Sequence, residues 1–386
     1  MNMSEQILSR SPGLAAIKRR RVAIFINDMN AAGGIQRTAA NLVRDLQPWY
    51  DTILLSVEPL RRPAFYEAGL DFRSLDFTRN SRSRLKLLQD LAAGGLKLRR
   101  FVLENQIDTV VSIWYDWSSV VALALPRSVK KIGWEHISYG EATATWRWIR
   151  SKTYPHLDAV VSLTQEDCPA FKRVSRHVRC IPNYVEAVIP GPSAGREDIL
   201  LTIGHLIPRK GLDRLLWALK RPLQDNPGWK LVVVGGGEKG HADRRHLYWV
   251  STLMQLLQLQ GRVEFYPATD EIEAWYRRAS IYVMGSRREG LPMVLIEAKA
   301  HGLPVVSFDC PTGPKEIIRS GIDGILVDND SNEFGESVSK LMRDAELRDR
   351  MGAAGVEDVK QRFSMHLAVR EWLDLIESLH SAKGKV

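Results

Sequence analysis

The stretch Ser286–Gly302, SRREGLPMVLIEAKAHG, decides the architecture of this 386-residue chain. Ahead of it Ala279–Gly285 reads ASIYVMG, and behind it Leu303–Phe308 reads LPVVSF, both patterned as buried strands. The unit is strand, glycine turn, helix, strand, with Glu289 at the turn and Glu297 eight positions later inside the helix. A helix start carries backbone N–H groups that have no partner within the helix, which makes it a site for anions. Glutamates there can accept from sugar or ribose hydroxyls while the amides hold phosphate, so the pairing suggests a nucleotide-sugar site. Glu297, set among Val294, Leu295, Ile296, Ala298 and Ala300, also needs a donor partner if it is buried.

Working outward, Arg21–Asn27, Thr52–Val57, Asp108–Ile113, Lys131–Glu135 and Ala159–Leu163 are short apolar runs separated by helical stretches. Alternation of this kind predicts a mostly parallel sheet with helices on both faces. Residues 186–198 are rich in Pro, Gly and Ser and read as a linker. A second series follows, with strands at Ile199–Ile203, Lys230–Val234, Arg262–Phe265, Ile281–Met284, Pro304–Phe308 and Gly324–Val327, and helices near 334–350 and 365–380. The expected organisation is a leader over 1–20, one Rossmann-like domain over 21–185, a second over 199–364, and a C-terminal helix over 365–386 that returns to the first domain. Ligands of such folds lie outside the carboxyl ends of the strands, here in the cleft expected between the domains.

Cys168, Cys180 and Cys310 are too few for a disulfide framework or a cysteine metal cluster, and no histidine pair has ligand spacing. No apolar run is long enough to span a bilayer, and Lys18–Arg21 interrupts any signal-peptide core. A cytoplasmic protein is expected. Residues 1–100 hold 17 Lys/Arg against 9 Asp/Glu, eight of the net nine positive charges. The densest part, Arg79–Arg100, interleaves Leu85, Leu87, Leu88, Leu91, Leu96 and Leu98 with basic residues. It reads either as a surface for anionic lipid at the inner face of the membrane or as an ordinary solvated helix face. No stacking platform or nucleic-acid motif accompanies the charge.

Residues 21–380 resemble the retaining nucleotide-sugar glycosyltransferases of family four, the glycogen-synthase-like and lipopolysaccharide-glycosyltransferase group. Their GT-B fold sets two doubly wound domains across a deep cleft. The resemblance is strongest over 281–327, where Glu289 and Glu297 match the family's Glu-x7-Glu signature. It implies that Glu289 meets the donor sugar near the anomeric carbon and that Glu297 bonds the ribose. Gly290, Leu291, Pro292 and Met293 fall on the phosphate-binding helix start, and Lys210 in PRKG neutralises the diphosphate. His205 stands where the family usually has arginine, with Arg209 adjacent to Lys210. Gly33 and Gly34 match the glycine pair that lets backbone approach the donor phosphates, with Gln36 and Arg37 beyond it. His136 corresponds to a histidine that approaches the reacting face, and Val263 and Arg287 to positions around base and ribose. At strand ends, Trp114, Tyr115, Asp116, Trp117, Trp134, Glu135 and Tyr139 can shape an acceptor pocket, or the rings can pack the core; Thr164 and Asn183 fall on the same side.

The resemblance implies a metal-independent transfer with retention, in which the leaving phosphate takes the acceptor's proton and Glu289 orients the sugar. Residues 308–315, FDCPTGPK, resemble members that use UDP-glucose, UDP-galactose or an N-acetylated sugar. The basic first domain points to a lipid-linked or membrane-associated glycan acceptor, as in surface polysaccharide, lipopolysaccharide or glycolipid synthesis. The rival readings are a nucleotide-sugar epimerase, a non-catalytic nucleotide- or glycan-binding partner of another transferase, and a soluble lectin-like or scaffold module.

Overall fold

The computed structural model describes residues 19–30, 33–60, 69–78, 83–189, 195–236 and 242–381. The chain divides into two compact units, one within residues 1–162, 168–179 and 369–386, the other within 163–167 and 180–368. Each is a doubly wound α/β unit built on one sheet.

The first unit holds strands β1 (Arg21–Ile26), β2 (Asp51–Ser56), β3 (Phe72–Ser74), β4 (Thr109–Ile113), β5 (Lys130–Glu135), β6 (Ala159–Ser162) and β7 (Val178–Cys180), in the order β3-β2-β1-β4-β5-β6-β7. From β3 through β6 neighbouring strands are parallel. The central strands are buried on both faces, which is why they read as continuous apolar runs. The edge strands β3 and β7 are three residues long and only half buried, so no apolar run announces them. Helices α1 (Gly34–Leu46), α2 (Arg84–Glu104), α3 (Tyr115–Ala124), α4 (Ala144–Thr153) and α5 (Cys168–Lys172) connect them. In α2 the leucines divide: Leu91 and Leu98 enter the core, while Leu88, Leu96 and Leu103 are exposed beside Lys86, Arg99 and Arg100. Arg79 and Arg82 lie outside the described residues.

The second unit holds β8 (Ile199–Ile203), β9 (Lys230–Val234), β10 (Val263–Tyr266), β11 (Ile281–Met284), β12 (Val305–Phe308) and β13 (Gly324–Val327). They form one parallel sheet in the order β10-β9-β8-β11-β12-β13. Its helices are α6 (Leu212–Asp225), α7 (Arg244–Leu256), α8 (Ile272–Arg278), α9 (Met293–Ala300), α10 (Pro314–Ile317), α11 (Ser331–Arg343) and α12 (Ala345–Arg362). The single helix expected over 334–350 is two, because Asp344 is extended and its carboxylate caps the amide of Leu347. The last helix, α13 (Met365–Ser381), packs on the first unit: Trp372 meets Trp134 edge-on at 5.1 Å, and Glu377 accepts from Arg20 and Tyr50.

Both sheets reverse their strand order once, at β1/β4 and at β8/β11. The loops leaving these strands diverge there and open a crevice at the carboxyl ends. In the second unit the loops after β8 and β11 touch backbone to backbone. Gly211 has φ +65, and a Cβ on it would lie 2.0 Å from the Gly285 carbonyl oxygen. Only glycine permits both the conformation and the approach. Gly211→Ala is expected to cost more stability in urea than Gly261→Ala, where φ is +74 but the space is open. The strain shared by both is about 1–3 kcal/mol. Equal losses would show that the Gly211–Gly285 contact carries no weight.

Candidate functional site

At the crevice of the second sheet the turn Pro208–Lys210 follows β8, and Ser286–Glu289 follows β11. The amide of Arg287 donates to the Arg209 carbonyl at 2.8 Å, and the Arg287 guanidinium grips both oxygens of Asp213 at 2.9 Å. These bonds lay one loop on the other and bring Lys210 Nζ to 2.7 Å from Glu289 Oε1. Ser286 Oγ donates to the same Oε1 at 2.6 Å, and Thr312 Oγ1 donates to the Glu289 carbonyl at 3.1 Å. The Lys210 side chain is 22% exposed and that of Glu289 8%, so the pair is largely withdrawn from water but still reachable. A small cavity beside it is lined by Gly204, His205, Lys210, Ser286 and Val294. Burial and the nearby Glu289 carboxylate push the Cys310 thiol up to about 12, which keeps it protonated.

The structure alters three details. The helix begins at Met293, with Pro292 just before it, so of the amides expected over 290–293 only that of Met293 lies in the helix. Gly290 and Leu291 belong to the turn, Pro292 has no N–H, and the helix-start amides begin at Met293. Val263 is corrected as well: it lies 7% exposed in the core at the amino end of β10, away from the carboxyl ends. Arg287 is committed to Asp213 and to the Pro208 carbonyl, bonds that fix the loop. Arg209 is exposed and His205 half-buried. Glu297 is buried, and its donor partner is the Tyr276 hydroxyl, 2.8 Å from Oε2. On the same helix Lys299 is wholly buried and bonds Asp358 at 2.6 Å, fastening α9 to α12. Tyr276 carries no spacing signal, since it reaches Glu297 by packing from 21 positions away, whereas Ser286 lies only three positions before Glu289 in the same turn.

In the first unit Gly33 precedes α1 with no side-chain cap, Gly34 is exposed, and Gln36 and Arg37 are half-buried on the first turn. At the end of β4, Trp114 has φ 86 and ψ 132, a glycine-like conformation costing tryptophan about 1–3 kcal/mol. Trp114 and Tyr115 are half-exposed, and the Asp116 carboxylate accepts from the Trp117 amide at 2.8 Å. Trp117 is not a surface residue: its ring is fully buried against Phe25, and its indole N–H donates to Asn27. Trp134 is likewise core.

His136 lies just past the carboxyl end of β5, 4.5 Å from the Trp134 ring, and its buried Nε2 has no hydrogen-bond partner among the described residues. Glu135, one residue earlier, is buried with Arg150, whose guanidinium donates at 2.8 Å; the Tyr154 hydroxyl donates to the other carboxylate oxygen. Burial pushes the Glu135 carboxyl above its ordinary value although Arg150 pulls it down. Arg150 was not singled out in the sequence. Its guanidinium sits 4.6 Å from the Tyr139 ring, so Tyr139 packs against it. Thr164 and Asn183 are both buried. No group of three or more His, Cys, Asp or Glu that could hold a metal ion occurs among the described residues.

Residues 189–358 match the family model of glycosyl transferases group 1. An uncharacterized glycosyltransferase of Haemophilus influenzae is 27% identical over 367 residues, covering 92% of this chain and 100% of that protein. The amylovoran biosynthesis glycosyltransferase AmsD of Erwinia amylovora is 28% identical over 377 residues, covering 92% and 99%. Among solved structures, HepE of Anabaena in complex with UDP-glucose superposes with a TM-score of 0.77 at 16% identity, covering 92% of this chain and 99% of that one. The chain is a glycosyltransferase of the GT-B fold, related to enzymes of polysaccharide and lipopolysaccharide synthesis.

Burial drives the pKa of His136 from 6.5 down to about 3, so its imidazole is neutral at physiological pH. Its unfolded state binds the proton first, so this group's contribution to stability falls as pH drops from about 6.5 toward 3. The His136 ring resonances are expected to stay flat between pH 5 and 8 in an NMR titration. A midpoint near 6.5 would show an open, solvated ring.

Proposed function

We propose that this chain is a retaining, metal-independent glycosyltransferase of family four. It moves a hexose or N-acetylhexosamine from a UDP-sugar to a hydroxyl of a lipid-linked or membrane-associated glycan. The observation that carries the reading is the Lys210–Glu289 pair at the strand-order reversal of the second sheet, 2.7 Å apart. An ammonium has three N–H donors. With one on Glu289, the others can meet the diphosphate as its charge develops, beside the amides that begin at Met293. Ser286 and Lys210 both donate to Oε1 of Glu289, and Oε2 is the oxygen proposed to orient the donor sugar. Glu297, held by Tyr276 through its own Oε2, supplies the ribose contact. Neutral His136 can accept from or donate to a sugar hydroxyl without carrying charge to the reacting face.

A lipid-linked acceptor is supported by the exposed face of α2, where Leu88, Leu96 and Leu103 lie beside Lys86, Arg99 and Arg100. Such a face suits an anionic membrane surface. No described helix is long and apolar enough to cross a membrane. One relative is named an alpha-1,4-N-acetyl-D-galactosaminyltransferase acting on an undecaprenol-linked saccharide, 26% identical over 384 residues.

The decisive measurement offers a panel of labelled UDP-sugars with membrane extract. Wild type is expected to transfer sugar to the lipid fraction. Lys210→Ala is expected to lower kcat about 10²–10³-fold, and Arg209→Ala only slightly. Release of an altered sugar nucleotide without acceptor would favour an epimerase, and no consumption of any donor would defeat the enzyme reading. Binding to anionic vesicles should weaken as salt rises; binding indifferent to both lipid charge and salt would remove the membrane contact.

A further inference from the structure

Three aromatic rings gather at the carboxyl end of β4. Trp114 and Tyr115 stack with centroids 5.9 Å apart and planes at 23°, and Trp146 of α4 meets Tyr115 edge-on at 5.1 Å. All three are half-exposed. Stacking neighbours in sequence is possible because Trp114 takes its glycine-like φ of 86. On its inner side Tyr115 lies 5.6 Å from the fully buried guanidinium of Arg150, which Glu135 holds at 2.8 Å. Core packing needs neither the unusual backbone nor a partly wet tryptophan pair. A sugar-binding surface uses the half-exposed rings, because the C–H face of a pyranose ring stacks on an aromatic face that stays open.

We propose that Trp114 and Trp146, set around Tyr115, form a stacking subsite for a pyranose ring of the acceptor glycan. Arg150 is its positioning residue. A cation over the Tyr115 ring fixes that ring's tilt, and the two indoles follow. This rests on the glycosyltransferase reading above and names the part of the acceptor it would hold: a neutral ring of a saccharide, gripped by its apolar face. It also separates Trp146, which no sequence signal marked, from the exposed aromatic residues elsewhere on the surface.

Saturation-transfer NMR on the full chain tests this, with α-linked glucose and N-acetylgalactosamine di- and trisaccharides as probes and UDP binding followed in parallel by calorimetry. Wild type is expected to saturate with at least one saccharide. Trp114→Gly and Trp146→Ala should each weaken that saccharide roughly tenfold with UDP affinity unchanged, and Trp146→Phe should restore most of the loss. Trp114→Gly should also melt at a higher temperature than wild type, since glycine accepts that backbone without strain. Arg150→Met combined with Glu135→Leu, which removes both buried charges together, should weaken the saccharide while leaving UDP affinity intact. The subsite is overturned if no saccharide binds, if the tryptophan variants bind it as wild type does, or if UDP affinity falls in step. The saccharide titration needs no donor, so failure of UDP to bind would count against the donor reading alone.

Discussion

The ion pair of Lys210 and Glu289 exists because two backbones touch where no side chain fits. The loops leaving β8 and β11 meet at Gly211 and Gly285, and the Arg287–Asp213 grip holds them there. A parallel sheet that reverses its strand order sends these loops to opposite faces, which opens the crevice. The glycine contact then draws the two rims close enough for an ammonium and a carboxylate to meet. Ser286 holds the carboxylate and Thr312 holds the backbone carbonyl of the same residue, so the ammonium is the movable partner. This suits a group that must exchange part of its shell for the charge of a leaving diphosphate.

The first unit meets a different constraint. Arg150 is a buried cation ringed by Tyr115, Tyr139, Tyr154 and Phe171 and balanced by Glu135. Burying such a pair is a weak source of stability, because desolvation consumes most of the attraction. Its value is in what it orients: Glu135 ends the strand that delivers His136, Tyr115 opens α3, and Tyr139 opens the helical turn that follows β5. The neighbouring Trp134–Trp372 contact adds a wall that keeps His136 dry and neutral. The two units thus bring opposite electrostatics to their crevices, charge held near the surface in one and a neutral imidazole over a buried ion pair in the other.

The central strands and the two doubly wound units were legible because a strand buried on both faces must be continuously apolar. The edge strands β3 and β7 were not, since three half-exposed residues leave no pattern. Glu289 and Lys210 stood out as charged residue types just past strand ends, where this architecture places ligands, and Glu297 as an acid inside an apolar helix that needs a donor. Val263 and Trp117 misled for the same reason: an apolar or aromatic residue near a strand end reads alike whether it faces the crevice or the core, and both face the core. The helix starts at Met293 because Pro292 is itself extended, with ψ 99, and disfavours the helical region for Leu291 before it.

The sequence by itself determined the element types, the two-unit organisation and the chemical inventory at the strand ends, because periodicity and residue type are local properties. The tertiary structure decided which inventory members meet. The pairing of Lys210 with Glu289, of Glu297 with Tyr276 and of Arg150 with Glu135 joins residues 79, 21 and 15 positions apart. Each contact depends on how helices and loops pack around a sheet, and no spacing along the chain encodes it.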